Sequence, residues 1–146
     1  PVTELASFLF EAVIGEETLI PVLGSTHEQD LTQRLQNGVL RIIGYPADVF
    51  LGAALNRHIL PALEGRCTMS VVTETGLSTA AMQLAQSGLG VAWVPAALAQ
   101  PDLLRGDLIN LQDDLGFIQM DIVAQRWAAT SNLATLEAWT RLVSPV

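Results

Sequence analysis

VVTETGLSTAAMQLAQSGLGVAWVP, residues 71–95, carries its own punctuation for a strand, a helix and a second strand. Val71 and Val72 are β-branched and continue an apolar run from Met69, so a strand leads into the polar turn at residues 73–78. The period then changes. Leu77, Ala80, Ala81, Leu84 and Ala85 recur at the spacing of one buried helix face. Thr75 or Ser78 is the expected N-cap, where alanine would cost about 1 kcal/mol. Gly88 stands at the left-handed position that ends such a helix. Gly90 then opens a second apolar run, residues 91–94, closed by Pro95. Two strands joined by a helix of this length predict a parallel pair with a right-handed crossover.

Upstream, Asn37-Gly38 is a turn, and residues 39–43 form an almost continuously apolar strand, the pattern of a strand covered on both faces. The strand ends in Gly44-Tyr45-Pro46-Ala47-Asp48. Pro46 disfavours helix at Tyr45, and Asp48 is a good N-cap for a helix from Val49 to about Leu60 or Leu63. Pro61 kinks or restarts that helix, and Glu64-Gly65-Arg66 ends it. Residues 39–94 therefore read as one β-α-β-α-β lobe containing parallel strands.

The flanks read less regularly. Residues 2–7 are a connecting segment. Residues 8–14 and 19–23 are two strand-like runs separated by the turn signal Gly15-Glu16-Glu17, and they either pair or cross between lobes. A polar stretch with His27, Glu28 and Asp30 leads to a short helix at residues 31–35. Beyond Pro95, residues 96–104 form a helical or irregular connector interrupted by Pro101. A short strand at 108–111, a turn at Asp113-Asp114 and a longer strand at 116–124 follow. In that last strand Ile118, Met120 and Ile122 alternate with Gln119, Asp121 and Val123, so one face is less buried. Asn132 caps a final helix whose Leu133, Leu136, Thr140 and Val143 share a face, with Trp139 beside it. The segments before residue 39 and after residue 104 are the natural parts of a second, discontinuous lobe.

Composition narrows the function. Half of the 146 residues are hydrophobic and 15% are charged, so the chain is globular and not disordered. The apolar runs are too short to span a bilayer, and no basic-then-apolar leader opens the sequence, which points to the cytoplasm and away from a membrane. All seven basic residues are arginines scattered along the chain. With a net charge of -8, they form no face on which this stretch alone would grip nucleic acid. The single cysteine, Cys67, excludes an internal disulfide and reads as a buried core thiol.

The central stretch GLSTAAMQLAQSGLGVAWVP resembles the part of LysR-type transcriptional regulators in which a helix ends in a small-residue step, a Gly-x-Gly and a strand closing in Val-Pro or Leu-Pro. PDLLRGDLINL is similar to the family's short helix followed by a Gly-Asp-Leu strand entry. IVAQRW is similar to its strand ending in arginine, and EETLIPVLGSTHE to the strand that follows the first half of its effector domain. The resemblance runs from about residue 8 to residue 143. It implies an α/β fold, a two-lobed, periplasmic-binding-protein-like (type 2) effector domain, with one complete lobe plus part of the other. Residues 39–104 would be lobe II, and residues 1–38 with 105–146 parts of lobe I. The family's winged helix-turn-helix, linker helix and first elements of lobe I have no counterpart in these residues. The resemblance further implies a small-molecule effector in the interlobe cleft, pairing with further copies as a dimer or tetramer, and DNA contact only through the absent N-terminal domain. The alternative is a solute-binding receptor of a transport system with the same fold.

In open α/β sheets, ligands bind outside the carboxyl ends of strands, where loops lead into helices. Two such loops are visible, residues 44–48 and 73–78. Both bring short polar side chains and backbone N–H groups to a helix N-terminus, which favours an anion by about 0.3 to 2 kcal/mol. The effector candidates are accordingly Tyr45, Pro46, Asp48, Thr73, Thr75, Gly76 and Ser78, with Tyr45 and Thr75 foremost. Thr75, Ser78 and Asp48 read equally well as plain helix caps. Glu74 would oppose an anion if it faced the ligand. Arg126 ends its strand as either a surface salt-bridge partner or a bidentate carboxylate contact. Trp93, Trp127 and Trp139 have no basic groove around them and read as packing residues.

Enzymatic readings find no support. No G-x-S-x-G elbow is present, and neither His27 nor His58 stands at a known spacing from a serine or cysteine nucleophile. Gly88-Leu89-Gly90 fails as a dinucleotide fingerprint, because Trp93 stands where the third glycine belongs and the pair precedes its strand. His27 has no second histidine at ligand spacing, so no metal and no cofactor are expected.

Overall fold

The computed structural model describes residues 2–6 and 8–144. Seven strands and seven helices follow in order: β1 (Val2–Ala6), β2 (Leu9–Gly24), α1 (Glu28–Gln36), β3 (Val39–Gly44), α2 (Phe50–His58), α3 (Leu60–Glu64), β4 (Thr68–Glu74), α4 (Ser78–Gln86), β5 (Ala92–Pro95), α5 (Ala96–Arg105), β6 (Leu108–Asn110), α6 (Gln112–Leu115), β7 (Ile118–Trp127) and α7 (Leu133–Val143). They fall into two compact units. The larger is Thr18–Gln119, and the smaller joins Pro1–Glu17 to Met120–Val146.

The larger unit is built on β3. β4 pairs with it in parallel, from Val39 opposite Thr68 to Gly44 opposite Glu74. On its other side Val91 forms a parallel bridge to Ile42, with Val91 N–H donating to the Arg41 carbonyl and Ile43 N–H to the Val91 carbonyl. β3 is thus covered at both edges and on both faces, as its run of apolar residues requires: Leu40, Ile42 and Ile43 are fully buried. β5 continues from Val91 and pairs antiparallel with residues 19–22 of β2, while β6 pairs with residues 22–24. The strands of residues 71–95 therefore run parallel as expected, but β3 stands between them, so their direct pairing is corrected. α4 crosses over β3, so β5 lands beyond it and takes β2 as its neighbour, not β4.

α4 buries Ala81 and Ala85, and Gly88 adopts φ +85° to end the turn that follows. That position admits no side chain, because a Cβ would run into the His27 ring. Pro61 lies in the first turn of α3 and separates it from α2. Pro101, in contrast, sits inside an unbroken α5, so the expected interruption is absent. Asp113-Asp114, expected as a turn, lie in the one-turn α6, entered through an Asn110 side-chain oxygen that accepts from Gln112 N–H.

Two further expectations change. The runs at 8–14 and 19–23 belong to one sixteen-residue strand, β2; Gly15-Glu16-Glu17 stays extended because neighbouring strands take up its backbone, and Gly15 packs against the Ile122 side chain. Residues 2–6, expected as a connector, are β1, held antiparallel to β2 with Val2 opposite Ala12 and Thr3 opposite Glu11. Ser7, the last residue of that expected connector, lies outside the described residues.

In the smaller unit β1 and β7 flank the first part of β2. Gln119, Asp121, Val123, Gln125 and Trp127 line the exposed face of β7, as the alternation read from the sequence expects, but Ile122 of the other face is exposed as well. Asn132 caps α7 by accepting from Thr135 N–H at 3.1 Å, yet α7 has no buried residue among those described.

Candidate functional site

β3 and β4 end level with one another, so the loops at residues 45–49 and 75–77 leave the sheet side by side. Thr75 N–H donates to the Gly44 carbonyl at 3.0 Å and ties them together. Each loop runs directly into a nine-residue helix, α2 or α4. Neither helix has a side-chain cap. Val49 and Leu77 occupy the N-cap positions with extended backbones, so the caps expected from Asp48, Thr75 and Ser78 do not form. The reason is a shift in register: α2 begins one residue later than an Asp48 cap would need, and α4 begins late for Thr75 but one residue early for Ser78, which falls inside the first turn. The first N–H groups of both helices are consequently presented at one sheet edge without a side-chain acceptor.

Each loop is shaped by a specific contact. Val49 N–H donates to the Pro46 carbonyl at 3.1 Å, closing a tight turn. Gly52 lies beneath that turn, where a Cβ would collide with the same carbonyl. In the second loop the Thr75 hydroxyl accepts from Leu77 N–H at 3.2 Å, which leaves its own hydrogen free to donate.

Tyr45 points inward. Its ring is 4% exposed, its hydroxyl donates to the Trp93 carbonyl at 2.8 Å, and burial pushes the phenol well above its ordinary pKa. The residue offers the loop its backbone and not its side chain. Pro46, Thr73, Thr75 and Ser78 are half-buried at the edge, while Asp48 and Gly76 are exposed.

Arg126 lies in the smaller unit, on β7. Its guanidinium sits 4.8 Å from the centre of the Phe10 ring and 5.4 Å from that of Trp139. One terminal nitrogen donates to the Trp127 carbonyl at 3.1 Å, while Nε is buried with no hydrogen-bond partner among the described residues.

Two residues at the sheet edge, Phe50 and Leu77, escape sequence reasoning. Both are exposed where α2 and α4 begin, although apolar residues there read as core. Glu74 is exposed at the end of β4 and its side chain passes close to Gly44. Glu74 was already marked in the sequence as a residue that would oppose an anion, whereas nothing in the sequence marks Phe50. Among the described residues no three His, Cys, Asp or Glu side chains cluster as a metal site, and no helix is long and apolar enough to cross a membrane.

A parallel pair with helices at its carboxyl ends is the architecture of a type 2 periplasmic-binding-protein-like fold. Known proteins make the class specific. The model superposes on the regulatory domain of HypT from Salmonella typhimurium with a TM-score of 0.80 and 19% identity, covering 97% of this chain and 68% of that one. HypT is described as a hypochlorite-specific LysR-type transcriptional regulator. The fold is thus that of LysR-type regulatory domains, and the resemblance read from the sequence holds along the chain.

Among curated proteins, the HTH-type transcriptional regulator YjiE of Escherichia coli K12 and the HTH domain-truncated transcriptional regulator QseD of Escherichia coli O157:H7 are each 24% identical over 127 residues, 87% of this chain. The chain spans 41% of the first and 52% of the second, about half the length of these relatives. No family model matches the sequence.

Proposed function

We propose that this chain is the effector-sensing part of a LysR-type transcriptional regulator, and that a small polar metabolite bearing an anionic group binds where β3 and β4 end. The observation that carries this reading is the pair of helix N-termini, α2 and α4, at one sheet edge with no side-chain cap on either. The backbone N–H groups of the two first turns receive the anion. The Thr75 hydroxyl donates to it, and Pro46, Thr73, Gly76 and Ser78 shape the rim. Tyr45 holds its loop in place through the bond to the Trp93 carbonyl. Asp48 and Glu74, both exposed at the same edge, oppose negative charge elsewhere on the ligand and favour one with a polar or positive group beside its carboxylate. Arg126 is the effector candidate of the smaller unit, where two rings hold its guanidinium flat for a carboxylate.

No catalytic acid, base or nucleophile is assigned, and the relatives are transcriptional regulators, which supports a non-enzymatic role. In this reading the regulator works in the cytoplasm as a homo-oligomer, and a separate helix-turn-helix part contacts DNA. A ligand shifts such a regulator only through its different affinities for two arrangements.

A thermal-shift screen of small carboxylates tests the site. A ligand present at one hundred times its dissociation constant stabilises the fold by about 2.7 kcal/mol. Thr75→Trp is expected to abolish that stabilisation while leaving the ligand-free melting temperature unchanged; a retained shift removes Thr75 from the site.

A further inference from the structure

The opposite end of the same parallel pair carries a pocket of about 430 Å³, within the size range of small-molecule sites. Leu35 at the end of α1, Leu63 in α3 and Leu115 in α6 form its apolar lining, and Leu63 and Leu115 are almost fully buried. The residues that close it, Arg66 and Cys67, immediately precede β4, where Thr68 N–H donates to the Gly38 carbonyl at 2.7 Å. Three helices thus converge on one patch of leucine at the amino ends of β3 and β4, away from the loops of the proposed effector site.

We propose that this pocket binds a small monocarboxylic acid with a short unbranched apolar body. The leucines take the hydrocarbon and Arg66 takes the carboxylate. The Arg66 guanidinium is already oriented, because one terminal nitrogen donates to the Asp114 carbonyl at 2.9 Å. Its remaining N–H groups keep the planar fork that matches a carboxylate. The Asp114 side chain, also at this rim and exposed, sets the charge limit. One arginine beside one carboxylate supports a monoanion and disfavours a dianion, and a second charge at the far end of the ligand would be stranded against leucine without a partner. The site is independent of the proposed effector site.

Cys67 makes the proposal directly readable. It is the chain's one cysteine, it lines the pocket, and it is half-buried with its thiol directed to the Leu63 carbonyl at 3.6 Å. Hexanoate is the probe, with adipate, of the same chain length but carrying a second carboxylate, as its control. A ligand of this size binds in the millimolar range. At ten times its dissociation constant, hexanoate is expected to slow alkylation of Cys67 by N-ethylmaleimide about tenfold. Adipate is expected to leave the rate unchanged, and Arg66→Gln to remove protection by hexanoate without altering the melting temperature. Thr75→Trp retains the protection, which separates this site from the effector site. Absence of protection by hexanoate, equal protection by adipate, or undiminished protection in Arg66→Gln would each overturn the proposal.

Discussion

Trp93 in the larger unit has no accessible surface, whereas Trp127 in the smaller one is 63% exposed and stacks on the Phe8 ring with centroids 5.7 Å apart. The contrast extends to the units as wholes. Every residue of the described hydrophobic core except Ala12 belongs to the larger unit. Most of the large hydrophobic side chains left exposed, among them Leu5, Val13, Val123 and Leu133, belong to the smaller. The difference teaches that regular secondary structure and a core are separate achievements. β1, β7 and α7 satisfy their backbones, yet the three strands and one helix of this unit leave much of their apolar surface exposed.

Substitutions sharpen that contrast, starting with the largest effect. Trp93→Ala removes a fully buried indole together with its Nε1–H bond to the Gly116 carbonyl, and is expected to cost about 3 to 5 kcal/mol in urea unfolding. A loss below 1 kcal/mol would show that the core of the larger unit is not what holds it.

Tyr45→Phe leaves the buried Trp93 carbonyl without its donor and is expected to cost about 1 to 3 kcal/mol near neutral pH. It also carries a pH signature. The folded phenol has its pKa raised by burial, so the unfolded chain ionises first and releases its proton while the folded chain retains it. The contribution is therefore whole below a pH of about 10, where unfolded tyrosine titrates, and declines as pH rises above that. The alkaline decline of stability should be visibly shallower in Tyr45→Phe, and identical slopes would mean that the phenol is not sequestered.

Leu133→Ala has the smallest expected effect. Its side chain is 75% exposed, and the change should stay within about 0.5 kcal/mol. A cost approaching that of Trp93→Ala would break the comparison, since it would require the face of α7 to be covered in solution.

What the sequence discloses follows the range of the forces involved. β3, α4 and the stop at Gly88 were legible because their signals are local: an apolar run, a helical period, a glycine at φ +85°. Asn132 was legible as a cap for the same reason. Gly15-Glu16-Glu17 was misleading because only β2's neighbours, far away in sequence, keep those residues extended. The order of strands around β3 was hidden likewise, since β5 takes its main partner from the beginning of the chain.

At the candidate site the two loops could be read, because strand ends that open into helices have a recognisable composition; their adjacency rests on the pairing of β3 with β4 and could not. The direction of Tyr45 could not. A residue just past a strand turns inward or outward according to what lies beneath it, and here the Trp93 carbonyl supplies the acceptor. Asp48 and Ser78 failed as caps by a shift of one or two residues, which is within the usual fraying of helix starts.

The unequal burial of the tryptophans also gives the molecule two colours. Indole emission reddens as its surroundings become wet, so Trp93, sealed in the larger unit, should fluoresce towards the blue, Trp127 towards the red and the half-buried Trp139 between them. Loss of the blue component alone would then time the opening of the larger unit, with no label attached.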